Sequence, residues 1–210
     1  MSLKVENARG QCYDGAATMA GEKSGVAAKI KELNSKCLYL HCFGHALNLG
    51  VNDMMKNVAD LKQTFAVVRE VCKLVKHSPQ RDTKLKKLRQ ETNNESKGVH
   101  AFCPTRWTIR GETASSMLDN HKELCDLWEW SLNNLKDTEM KARILGVKSY
   151  MHTFKFSFGC ALAEDLLKQT DKLSKTLQNA AISASEGFAL AEVVIAVIRQ
   201  GRNNDTFETF

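Results

Sequence analysis

Val58-Ala-Asp-Leu-Lys-Gln-Thr-Phe-Ala-Val-Val-Arg-Glu-Val-Cys-Lys-Leu-Val-Lys76 is the stretch that decides how the chain folds. Its apolar residues Val58, Leu61, Phe65, Val68, Cys72 and Val75 recur at intervals of 3, 4, 3, 4 and 3, the spacing that lays one seam along a helix. A helix with such a seam must bury it against another helix, so the middle of the chain is predicted to be helical and packed. Pro79 closes that helix, and a short basic helix follows over about Thr83 to Gln90. The polar run Glu91 to Gly98 then reads as a mobile loop.

Outward from this segment the same period continues. Met117, His121, Leu124, Trp128 and Leu135 mark a second long helix, and helical patterns follow over about 140–178, with a break near Gly159, and from Ser185 to Arg199. Toward the start, Asp14-Gly15 reads as a loop leaving a strand, Gly25 to Leu33 as a short helix, and Cys37 to His41 as a buried strand. From Gly44 the pattern is again helical, ended or kinked by Asn52-Asp53. With only Pro79 and Pro104 as prolines and few aromatics, an all-β architecture is excluded. The fold class expected is a small α/β part followed by a mainly α-helical region, mostly helical overall.

The 210 residues suffice for a sizeable core, and 43% hydrophobic with 26% charged residues is ordinary for a globular protein. Seven scattered cysteines, an odd number, fit reducing conditions better than a disulfide framework. The opening residues have no apolar core of the kind a signal peptide needs, and no later stretch is long and apolar enough for a membrane span, so neither export nor a membrane partner is expected.

Charge is unevenly placed. The whole chain has 30 basic and 24 acidic residues, but residues 111–210 hold 11 and 14 of them, which leaves 19 against 10 in residues 1–110. From Lys62 to Arg89 there are nine basic and two acidic residues, a net +7. An excess of this kind suits an anionic partner, although such a run is also what a solvated helix face looks like.

Three short stretches carry chemistry: Gly10-Gln-Cys-Tyr-Asp-Gly-Ala-Ala, His41-Cys-Phe-Gly-His-Ala-Leu-Asn-Leu49 and Cys103-Pro-Thr-Arg-Trp107. In this order they resemble the hAT transposase superfamily, and more closely the zinc finger MYM-type protein 1-like group. The resemblance implies a ribonuclease H-like core that is incomplete here, approximately residues 1–57, continuing into a helical insertion region over 58–210. It also implies that the strands present keep an uncovered edge open to pairing with another chain.

By the same resemblance Asp14 corresponds to the second of three acids that hold two magnesium ions for DNA strand cleavage and transfer. Two metals need more than one carboxylate. The first acid is expected upstream of residue 1 and the third beyond the helical region, so Asp14 is read as vestigial, the chain as no enzyme, and no cofactor is expected. Cys42 and His45 match a Cys-x2-His motif that serves beside the catalytic site near DNA. Cys37, His41, Cys42 and His45, with His100 and Cys103 further on, offer sulfur and imidazole, but not the two close pairs of a structural zinc site, so zinc is not expected. Arg106 and Trp107 match an Arg-Trp motif in which the aromatic stacks on an unpaired base and the guanidinium meets the backbone, a combination physically suited to that task. A tryptophan at a helix entry also serves as a core anchor.

The expected function is therefore a truncated or domesticated hAT-like transposase without catalysis, a nuclear DNA-binding or protein-association module. Its nucleic-acid contacts would be Cys42, His45, Arg106, Trp107 and the basic residues Lys84, Lys86, Lys87 and Arg89. Two alternatives stand beside it: a piece of a longer active DNA transposase, and a helical scaffold whose Val58–Val75 seam binds a helix of another protein. Oligomeric state is left open.

Overall fold

A computed structural model describes residues 4–100, 108–179, 182–203 and 205, without the side chains of 108–110 and 184. The chain is about 74% helical, and its sheet has two strands. Two compact units form: Met1–Asp53 with Lys172–Ala191, and Met54–Asp171 with Glu192–Phe210. The first unit boundary falls at Asp53/Met54, inside a helix, and residues 172–191 belong to the first unit.

In the first unit, β1 (Gly10–Tyr13) and β2 (Leu38–His41) run parallel, with Gly10 opposite Leu38 and Tyr13 opposite His41. Parallel strands need a crossover connection. Here it holds α1 (Ala17–Ala20) and α2 (Val26–Leu33). Two buried amides lock this arrangement: Gln11 donates to the Ala27 carbonyl at 3.1 Å, and Asn34 donates to the carbonyls of Val5, Glu6 and Ala8. The strand expected to be buried is only half so, since Leu38 and Leu40 are 65% and 56% exposed on one face while Tyr39 and His41 turn to the other. A two-stranded sheet covers one face and leaves the other bare. Next comes α3 (Phe43–Asn57), which continues through Asn52-Asp53 instead of stopping there.

The second unit is helical. In α4 (Ala59–Lys76) the seam residues Leu61, Phe65, Val68, Cys72 and Val75 are all buried, while Val58 lies before the helix and is 44% exposed. The helix ends at Lys76, ahead of the proline. Pro79 opens α5 (Pro79–Glu91) as its first residue, with Ser78 as the cap accepting from the Arg81 amide. Proline tolerates that position because its missing N–H would have had no partner there. Schellman bonds close α5, from the Asn93 amide to Gln90 and the Asn94 amide to Arg89, with Asn93 in the left-handed region at φ 53°.

Two long helices expected from the pattern are each divided. The one read through Met117 and Leu135 is α6 (Thr108–Asp119) and α7 (His121–Asn134), separated at Asn120. That buried side chain donates to the carbonyls of Ser116 and Lys97, bonds that hold the junction from both sides. The other is α8 (Thr138–Met151) and α9 (Phe154–Leu177), and the break lies at Thr153 rather than near Gly159. Thr153 caps α9 by accepting from the Phe156 amide at 3.3 Å. Gly159 lies inside α9, where a Cβ would sit 2.4 Å from Thr64 Oγ1 on α4, so the glycine serves close packing of the two helices. Trp128, Met151 and Phe156, fully buried, form the centre of this unit, and the Trp128 indole donates to Met151 Sδ at 3.2 Å. Last is α10 (Ala184–Gln200), entered through a capping box in which the Ser183 amide donates to Glu186 at 2.8 Å and the Glu186 amide donates to Ser183 Oγ at 3.3 Å.

Candidate functional site

The first constellation sits at the carboxyl ends of β1 and β2, the end where α/β sheets present their chemistry. Pairing continues one step past the strands, the Cys42 amide donating to the Tyr13 carbonyl at 2.9 Å. That step sets the Tyr13-Asp14-Gly15 turn beside the start of α3. Asp14 is exposed and closes an Asx turn, its carboxylate accepting from the Ala16 amide at 3.2 Å. The His41 ring lies close over Gly15, where a Cβ would be 3.1 Å from Cε1, a tight contact that a larger residue would meet only with a small shift of the ring. His45, one helical turn on, faces His41 with ring centroids 5.4 Å apart. His41 Nε2 is buried and makes no hydrogen bond. Cys12 and Cys42 interact as well: desolvation first, then the charge of Cys42 and a hydrogen bond with it, push the Cys12 thiol pKa up.

This corner brings Asp14, Cys42 and His45 into one neighbourhood but does not make a metal centre of them. Among the described residues no three His, Cys, Asp or Glu side chains are grouped as an ion would require. Asp14 is the single acid contributed by its turn, so the donors described here do not fit a two-metal site. Cys37 is buried, and Cys103 lies outside the described residues, as do Arg106 and Trp107.

The second constellation is the basic segment of α4 and α5. Its nine cations divide into two sets. Five are engaged inside the chain or accounted for: Arg81 is buried and donates to the Leu74 carbonyl at 2.6 Å, Lys76 and Lys86 both pair with Asp82 at 2.8 Å, Arg89 donates to the carbonyls of Asn94 and Ser96, and Arg69 also has a partner. Hydrogen bonds from Lys76 and Lys86 hold the Asp82 carboxyl below its ordinary pKa. Among the described residues Lys62, Lys73, Lys84 and Lys87 have no ion-pair partner; Lys84 is half-buried and the other three are exposed. Of the four α5 residues expected to contact nucleic acid, Lys84 and Lys87 are thus uncommitted, Lys86 is paired, and Arg89 is turned inward.

Arg89 belongs to a network that sequence reasoning missed. The Glu91–Gly98 run, expected to be mobile, is tethered along its length. Glu123 on α7, only 4% exposed, accepts from Thr92 Oγ1 at 2.6 Å and from Asn94 Nδ2 at 3.1 Å, and Asn94 also donates to the Asp119 carbonyl. Burial pushes the Glu123 pKa up, but hydrogen bonds from Thr92, its own backbone and Asn94, with the Arg89 charge, outweigh that and leave it lowered. The one sequence signal was a glutamate on the apolar stripe of α7.

The α4 seam is likewise consumed internally. From Leu61 to Val75 its residues are buried within the second unit. No helix among the described residues is long and apolar enough to cross a membrane.

No solved structure matches the chain. Residues 40–143, just under half of the chain, match the family model of the ZBED1 RNase-like helical domain. That interval runs from the end of β2 through α3 to α7 and into α8, taking in both the His41–His45 corner and the whole basic segment. The match supports a ZBED/hAT-like relation and fits a hAT-derived polypeptide resembling a domesticated transposase.

Proposed function

We propose that this chain is a nuclear, DNA-binding module derived from a hAT transposase and without strand-transfer activity, near the zinc finger MYM-type protein 1-like group by its three motifs. The observation that carries the reading is the division of the basic segment: among the described residues Lys62, Lys73, Lys84 and Lys87 have no ion-pair partner on α4 and α5 while their neighbours hold the fold. Lysines that serve no internal pair are available to phosphates, and Trp107 and Arg106, by family resemblance, would add base stacking and a backbone contact.

Fluorescence anisotropy with duplex, hairpin and single-stranded DNA across a salt series tests this. Each phosphate neutralised contributes a slope of about −0.9 in log K against log salt, so full use of the four lysines gives about −3.6 on duplex. Replacing Lys84 and Lys87 with alanine should lower that slope by about 1.8, and Trp107→Ala should weaken single-stranded binding alone by about 1–3 kcal/mol. Absence of DNA binding at low salt by the folded chain refutes the reading, and magnesium-dependent nicking of hairpin DNA refutes its non-catalytic part.

A further inference from the structure

Where the start of α7 meets the end of α8, inside the second unit, His121, Cys125 and His152 stand in one neighbourhood. His121 and Cys125 are one helical turn apart on the same face of α7, with His121 Nδ1 3.9 Å from Cys125 Sγ. His121 Nε2 lies 3.0 Å from the Met151 carbonyl. A carbonyl only accepts, so Nε2 carries the ring proton, and in the neutral ring Nδ1 keeps its lone pair toward the thiol. The fully buried Phe156 packs against the same ring, centroids 6.5 Å apart, and helps fix its orientation. The His152 ring stands edge-on to His121 at 6.0 Å, is exposed, and has no hydrogen bond among the described residues.

A histidine that ligates a metal through one nitrogen commonly donates its other N–H to a carbonyl or carboxylate, and His121 already does so. We infer that His121 Nδ1, Cys125 Sγ and the His152 ring bind a zinc ion, with a fourth position left to water. Two imidazoles and a thiolate suit zinc and its neighbours in the first transition row, and do not suit magnesium or calcium. Tetrahedral bonds of about 2.1 Å to nitrogen and 2.3 Å to sulfur place the two donor atoms about 3.6 Å apart and two ligating rings about 5 Å apart, centre to centre. The pair on α7 is thus almost at its bound separation, and His152 must close by about 1 Å. Among the described residues no three donors are grouped tightly enough as the chain stands, and rotation of the exposed His152 side chain supplies that closure. Of the charges that reach Cys125, Asp126 and Glu129 are negative and Lys148 is positive, and Lys148 is bound to Glu129 at 2.8 Å, so the surroundings favour a cation. On binding, the Cys125 proton leaves to solvent as the sulfur–metal bond forms. The site would join the ends of α7 and α8, and it uses none of the lysines assigned to DNA.

Cobalt(II) is the probe, because it occupies tetrahedral zinc sites and a thiolate ligand gives it a charge-transfer band in the near ultraviolet. Titrating the reduced full chain should develop that band at one equivalent, and added zinc should bleach it. Cys125→Ser should abolish the band. His152→Ala, a truncation of an exposed side chain, should weaken cobalt binding by about tenfold or more while the fold stays intact. The double variant Cys42→Ser with His45→Ala removes the sulfur and imidazole at the end of β2 and should leave both band and affinity unchanged. The inference is overturned by a wild type that gives no band, by a band that survives Cys125→Ser or vanishes in the Cys42/His45 variant, or by unchanged affinity in His152→Ala. The last result decides the matter even if Cys125→Ser does not fold.

Discussion

Glu123→Ala is the perturbation that most directly probes how the second unit is held. The carboxylate, buried on α7, accepts from Thr92 Oγ1 at 2.6 Å and from Asn94 Nδ2 at 3.1 Å. Hydrogen bonds to an ionised acceptor contribute about 1.5–3 kcal/mol each. Thr92 Oγ1 can fall back on the Leu88 carbonyl at 3.2 Å and Asn94 on the Asp119 carbonyl at 2.8 Å, so neither donor is left wholly unsatisfied. The expected cost is therefore about 2–4 kcal/mol rather than the full sum. Urea unfolding followed by circular dichroism should show it as a lower midpoint at unchanged slope. Amide exchange should accelerate from Thr92 to Gly98, since the loop loses its anchor.

The pH dependence supplies a second arm. The folded-state pKa of Glu123 is depressed, so its contribution is complete above the unfolded value and is lost as pH falls through the folded one. The stability gap between wild type and Glu123→Gln should be widest near neutrality and shrink in acid. A cost below about 0.5 kcal/mol, with unchanged exchange in the loop, would refute the tethering argument, and a gap that widens in acid would refute its electrostatic part.

Two further substitutions probe the core of the same unit. Gly159→Ala drives a methyl to 2.4 Å from Thr64 Oγ1 and should cost about 1–3 kcal/mol despite the higher helix propensity of alanine. Since that hydroxyl is itself buried without a partner, Thr64→Val should be neutral or stabilising, by thermal melting of both variants. Trp128→Ala removes a fully buried ring together with its bond to Met151 and should cost about 3–5 kcal/mol in denaturant unfolding, enough to threaten the unit as a whole.

The turn and the charge excess of the candidate site are legible in the sequence, and for a definable reason. Asp14-Gly15 is readable as a turn because small residues and an Asx side chain act over two or three positions, and the Asp14 bond to the Ala16 amide is such a local event. The basic excess of Lys62 to Arg89 is likewise a count. Which lysines of that excess remain available is not a count: Arg81 and Arg89 carry the same charge as Lys84 and Lys87, yet they reach carbonyls that belong to other segments, the Leu74 turn and the loop after α5. Charge is a property of the residue; its employment depends on what the fold brings within about 3 Å.

The helical character of the chain was determined by the sequence alone, because a 3.6-residue period is written into each segment independently of its neighbours. Where the helices stop was decided by tertiary structure. Asn120 divides α6 from α7 by bonding a carbonyl 23 residues away, and Gly159, read as a break, instead lies inside α9, where it lets the helix approach Thr64, far off in the chain. The α4 seam announced a partner but could not say whose, and only the packed structure shows that the chain supplies it. Periodicity specifies a face, whereas the identity of what covers that face is a non-local fact, settled when chain-entropy cost and buried apolar area are balanced over the whole fold.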